Sequence, residues 1–80
     1  MPSPQELQAW LEEALSPAQV EVEGDGAHFS AFVVSQAFQG KSRIERHRFV
    51  YQALGDKMAM VHALSLRALT PEEAEGKERT

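Results

Sequence analysis

Eighty residues are enough for one small domain, but a chain of this size buries only a little over half of its unfolded surface, so a large internal substrate cavity is not expected. The absence of cysteine rules out a disulfide, a thiolate metal ligand of its own and a thiol nucleophile. A net charge of −4 argues against wholesale electrostatic binding to nucleic acid, yet the charge is sorted: the first forty residues hold six acids and no base, and four of the eight Lys and Arg residues fall between Lys41 and Arg48.

The opening Met1-Pro2-Ser3-Pro4-Gln5-Glu6 has neither the basic start and apolar run of a secretory signal nor the arginines of a mitochondrial presequence. No window is long enough to span a membrane, so a soluble, cytoplasmic chain is expected. Ser3, Pro4 and Glu6 read as N-cap, first helical residue and capping-box acid. Leu7, Trp10, Leu11, Ala14 and Leu15 then recur at helical spacing on one face, which predicts a first helix ending before Pro17.

Val20-Glu21-Val22-Glu23 alternates with period two and predicts a strand with one buried face, turned by Gly24-Asp25-Gly26 into a second strand, His28 to Ser35, whose apolar residues occupy both phases as in a central strand. Gly40 marks the next turn. Ser42 and Glu45 repeat the capping-box pattern, and Ile44, His47, Val50, Tyr51 and Leu54 are expected on the inward stripe of a second helix, with Lys41, Arg43 and Arg46 away from it. Gly55 suits its C-cap. Val61 to Ala68 reads as a third strand with Leu64 and Leu66 on one face, Thr70-Pro71 opens a short terminal helix, and residues 76 to 80 read as a solvated tail behind a single domain of residues 1 to 75. A right-handed crossover through the second helix places strand 3 parallel to strand 2, so the expected class is α+β, order α-β-β-α-β(-α), with helices on one face of a three-stranded mixed sheet.

The basic helix start is the first functional signal. Cations in the first turn oppose the helix dipole at about 0.3–1 kcal/mol each, so an anionic partner is one reason for keeping them. Lys41, Arg43, Arg46 and Arg48 suit a solvated face, a phosphate-binding surface or a docking surface. Gly40-Lys41-Ser42 resembles the tail of a phosphate loop, but the glycine required five residues earlier is Ser35. The layer order is similar to the KH type II fold, whose nucleic-acid clamp is Gly-X-X-Gly; here Arg43 stands at the second glycine. No serine has an elbow sequence, and Asp25 with the three histidines has no triad order.

His28 opens strand 2 in phase with Phe32 and Val34, and His62 opens strand 3 in phase with Leu64 and Leu66. In adjacent parallel strands, about 4.8 Å apart, both would sit at one end of the sheet, as metal ligands or as hydrogen-bonded strand caps. His47 on the second helix reads as structural.

Several motifs in fixed order then carry a family likeness: Val33-Val34-Ser35, Phe38-Gln39-Gly40-Lys41-Ser42, Arg46-His47-Arg48 with Val50-Tyr51, Val61-His62-Ala63-Leu64-Ser65, and Thr70-Pro71. Over residues 6 to 74 the chain resembles the BolA family, and most of all its short-loop, IbaG-like branch. The resemblance implies a KH-like fold and a non-enzymatic adaptor that forms a heterodimer with a monothiol glutaredoxin of the Cys-Gly-Phe-Ser kind. The two would share a 2Fe-2S cluster held by the glutaredoxin cysteine, glutathione and a BolA histidine, in iron-sulfur trafficking or iron and redox regulation. That histidine corresponds to His62 in Val61-His62-Ala63. A second family ligand comes from the loop between strands 1 and 2, which is shortened here to Gly24-Asp25-Gly26-Ala27, leaving His28 as the second cluster candidate. Lys41, Arg43, Arg46 and Arg48 would then serve the partner or glutathione surface. A role in transcription and stress response, with this segment on DNA or RNA, is the alternative the family offers. No membrane partner is implied, and the free chain is expected as a monomer or weak homodimer. Ala74 stands where relatives often place Trp, which weakens the expected docking of the terminal helix.

Overall fold

The structure, a computed structural model, describes residues 2–17, 19–25, 27–61 and 63–76. His62, Gly26 and the tail beyond Gly76 lie outside the described residues. Helix α1 spans Pro4–Leu15 and begins as its sequence dictates: the Ser3 hydroxyl accepts the Glu6 N–H at 3.1 Å while the Glu6 carboxylate accepts the Ser3 N–H at 2.9 Å. It stops at Ser16, whose left-handed φ of 46° turns the chain into Pro17. Leu7, Leu11 and Leu15 are buried and Trp10 packs beside them, whereas Ala14 stays exposed.

Strands β1 (Gln19–Gly24) and β2 (His28–Val34) form an antiparallel hairpin. Its turn is organised by Asp25, whose carboxylate accepts the N–H groups of Ala27 at 3.0 Å and His28 at 2.9 Å. A Cβ on Gly24 would lie 2.5 Å from the His28 carbonyl oxygen and 2.7 Å from a Phe29 ring carbon, so glycine is needed for the hairpin to close. β3 runs Ala63–Leu69 parallel to β2, giving the sheet order β1-β2-β3 with β2 central, as the crossover argument requires.

The register sorts the sheet into two faces. Val20, Val22, Phe29, Ala31, Val33, Leu64, Leu66 and Ala68 pack with the helices into one core. Glu21, Glu23, His28, Ser30, Phe32, Ser65 and Arg67 alternate with them, on the uncovered side. Each fully buried large side chain contributes roughly 1.5–3 kcal/mol, so a few such residues carry most of the stability of so small a chain.

Between β2 and β3, a 3-10 turn (Gln36–Phe38) seats Phe38 in the core and Gly40 turns with φ +80°, a conformation that disfavours any side chain. Helix α2 spans Arg43–Leu54 and starts with the second reciprocal cap: the Ser42 hydroxyl accepts from Glu45 N–H at 3.2 Å, and Glu45 accepts from Ser42 N–H at 2.7 Å. Gly55 closes it with φ +58°, and a second 3-10 stretch, Gly55–Met60, leads toward β3. Helix α3 spans Pro71–Gly76, with Thr70 and Glu73 forming a third reciprocal cap at 3.2 and 2.9 Å.

The expected inward stripe of α2 needs correction. Val50 and Leu54 are buried, but Ile44 is 62% and Tyr51 38% exposed. The buried side instead runs through Arg46, Phe49, Val50 and Leu54, at i, i+3, i+4 and i+8. Arg46 was expected to lie away from the core, but its long side chain reaches under α2 and ends in a polar network.

Candidate functional site

Arg46 organises one end of the molecule. Its Nε donates to Lys41 O at 3.0 Å, one terminal nitrogen donates to Ala68 O and Glu73 Oε1, both at 2.8 Å, and the other donates to Glu73 Oε2 at 3.1 Å. This guanidinium therefore ties the start of α2 to the end of β3 and to the first turn of α3. Its side chain is only 13% exposed, and the hydrogen bonds to Glu73 hold its pKa above the ordinary arginine value against the opposing effect of burial. In the same turn, the Glu45 carboxyl is held below the usual range, chiefly by the Ser42 N–H.

Beside this network lies a groove of about 790 Å3 between α2 and the outer edge of β3. Lys41, Arg43, Arg46, His47, Arg67 and Glu73 line it together with the strand segment Leu66–Leu69. The Lys41 ammonium sits 5.2 Å from the Phe49 ring centre, and Arg67 lies 5.8 Å from that of Phe32, so both cations are placed by aromatic faces. Of the four bases marked in the sequence, the groove gathers Lys41, Arg43 and Arg46. Arg48 is exposed on α2 and does not line it. His47, which helical periodicity places inward as a structural residue, is half-buried on the flank of α2, lines the groove and has its ring 6.4 Å from that of Tyr51.

Arg67 and Glu73 belong to the site without standing out in the sequence. Arg46 contacts them or their neighbours across 22 and 27 residues of chain, a separation invisible to local pattern. Two signals were present: Arg67 is the single base in the outward phase of β3, and Thr70-Pro71-Glu72-Glu73 fits the capping-box spacing.

The histidines occupy a different place. His28 is exposed and pairs in register with Ala63, the residue next to His62 in the chain, so β2 and β3 do begin at the same end of the sheet. The phases assigned by periodicity separate, however: Phe32 lies on the uncovered face, and Leu64 and Leu66 lie on the helix-covered face. Among the described residues no group of three or more His, Asp or Glu side chains could hold a metal ion. His28 therefore offers one imidazole and not a complete site, a donor set that fits a metal centre only if most ligands come from elsewhere. Among the described residues no helix is long and apolar enough to cross a membrane.

Comparison with known proteins decides the lineage. The family model described as BolA-like protein matches residues 11–73. The chain belongs to the BolA family. It is 41% identical over 70 residues to the acid stress protein IbaG of Escherichia coli K12, covering 85% of this chain and 83% of that one. It is 40% identical over 78 residues to protein BOLA2 of Arabidopsis thaliana, covering 91% and 84% of the two chains. Among solved structures, a BolA homologue from Coxiella burnetii superposes with a TM-score of 0.86 at 44% identity, covering 94% of this chain and 99% of that one. The mixed three-stranded sheet with its helices is thus the fold of BolA proteins as well as the one expected from the residues.

Proposed function

We propose that this BolA-family chain is an adaptor that pairs with a monothiol glutaredoxin and contributes a histidine to a shared 2Fe-2S cluster. Family membership together with the Val61-His62-Ala63 motif leading into β3 carries the reading. When bound, the cluster would supply iron-sulfur chemistry, and the cysteine-free chain would supply imidazole alone, with thiolates from glutaredoxin and glutathione. His62 is the first ligand candidate and His28 the second. Ligation needs neutral imidazole, so acidification weakens it.

Met60, 52% exposed just before the motif, suits an apolar contact at that end of the sheet. Lys41 and Arg43 stand roughly 10–20 Å further along β3, by the rise of a strand. A standard interface of about 800 Å2 per partner is roughly 30 Å across and would cover both.

The test is the visible absorption and circular dichroism of the mixture with a monothiol glutaredoxin, iron, sulfide and glutathione. A heterodimer whose cluster spectrum differs from that of glutaredoxin alone is expected, and His62→Ala should remove the difference. Co-elution without a spectral change, or an unchanged spectrum for the variant, would sink the ligand assignment.

The alternative nucleic-acid reading retains Lys41, Arg43 and Arg48. It draws less support because Arg46 is matched by Glu73 and Arg43 replaces the second clamp glycine. It requires DNA or RNA binding that falls steeply with salt.

A further inference from the structure

The groove between α2 and β3 has a floor that the cluster reading does not use. β3 is an edge strand. Leu69 O accepts from Ser35 N–H at 2.9 Å, so the Leu69 main chain faces β2. Main-chain groups alternate sides along a strand, and those of Ala68 and Leu66 therefore face outward, as the bond from Arg46 to Ala68 O confirms. Arg46 thus caps the far end of the edge and leaves the Leu66 N–H and C=O directed into the groove. Among the described residues no strand pairs with this edge, and an open strand edge is a template for another strand.

We propose that this groove binds an extended acidic peptide segment of a partner protein, added as a fourth strand along β3 and held under the flank of α2. Two observations select that occupant. The groove presents a donor and an acceptor together at Leu66, which a peptide main chain satisfies in both senses, whereas a phosphate backbone offers acceptors only. Its walls also carry cations on both sides of the incoming strand: Lys41 and Arg43 from the helix side, and Arg67 from the uncovered face. Alternate peptide residues point to opposite sides, so adjacent acids find a base either way. The charge of Arg46 is matched by Glu73, which marks the closed end of the groove. The outward-facing edge from Leu64 to Ala68, where Arg46 takes the last carbonyl, measures about 13 Å, room for about four peptide residues. The inference does not depend on the cluster or on glutaredoxin, and it assigns Arg67 a role in recognition.

The probe is a fluorescein-labelled peptide Gly-Val-Glu-Asp-Val-Glu-Gly, titrated with the full chain and no metal present. Saturable binding is expected, with amide shifts at Leu64, Leu66 and Ala68. Methylating alternate peptide nitrogens should abolish it, and Arg67→Glu or Arg43→Glu should weaken it about tenfold in variants with an unchanged far-UV spectrum. Using two variants on separate elements guards against one of them failing to fold. Equal affinity for the N-methylated peptide would show mere charge attraction and overturn the proposal, as would no binding at about 1 mM protein. Displacement of the peptide by a single-stranded oligonucleotide that shifts the same amides would assign the groove to nucleic acid instead. Concentration-dependent association that protects the β3 amides without peptide would assign it to the acidic β1 edge of a second copy.

Discussion

Arg46 donates four hydrogen bonds, to Lys41 O, Ala68 O and both Glu73 oxygens, and its removal leaves two carbonyls and a carboxylate without their cation. Arg46→Met keeps most of the packing of the stem and deletes the fork. Because hydrogen bonds to charged groups are worth about 1.5–3 kcal/mol and Glu73 remains partly in water, a loss of about 2–3 kcal/mol is expected by urea denaturation. Glu73→Gln should cost less, since the amide oxygen can still accept, and a double-mutant cycle should return a coupling of about 1–2 kcal/mol. A loss below about 0.5 kcal/mol for Arg46→Met would mean that the pair behaves as a surface salt bridge. The same network explains why apolar periodicity misplaces the faces of α2. Periodicity counts apolar residues, so Ile44 and Tyr51 were placed inward and Arg46 outward; a long arginine with partners 22 and 27 residues away reverses that assignment.

The N-caps of α1 and α2, the Asp25 turn and the Gly55 stop of α2 were legible from local chemistry. The left-handed Ser16 cap of α1 was not, and the Gly26 part of the hairpin turn lies outside the described residues. Ser3 with Glu6 and Ser42 with Glu45 form the boxes their spacing predicts, because both partners lie within one helical turn. Gly40 and Gly55 take the positive φ that turns require. Ser42→Ala should therefore cost about 1 kcal/mol, read from the urea midpoint at unchanged m-value. Two carboxyls in these elements also contribute to the acid limb of stability. Asp25 is held below its ordinary pKa by the N–H groups of His28 and Ala27, and Glu45 by the Ser42 N–H. A carboxyl with a depressed folded pKa contributes stability above its unfolded value, and that contribution disappears as pH falls through the folded pKa. Stability should thus decline below about pH 4. Asp25→Asn retains an acceptor for the turn but cannot titrate, so its acid limb should be shallower than that of the parent. An identical acid limb in the variant would assign the titration elsewhere.

At the scale of the whole molecule, strand order and direction followed from chain order and crossover handedness, but the groove did not, because it is built from β3, α2 and α3 only after they pack. Phe38 connects these parts. It is fully buried in the 3-10 turn after β2, its ring meets Phe49 edge-on at 6.1 Å, and Arg46 lies 6.0 Å from its centre, so it supports the floor beneath Lys41 and Arg46. A chain of 80 residues has a stability of about 4–12 kcal/mol, and Phe38→Ala should remove about 3–5 kcal/mol of it through lost burial and a cavity. Because α1, α2 and the sheet share one core, the loss should appear everywhere at once: the Trp10 fluorescence transition, reporting α1, should coincide with the far-UV transition at a much lower urea midpoint. Separated transitions would show that α1 and the sheet unfold independently. With coincident transitions, apparent peptide affinity in the variant should fall in step with the folded fraction, although no residue lining the groove has changed.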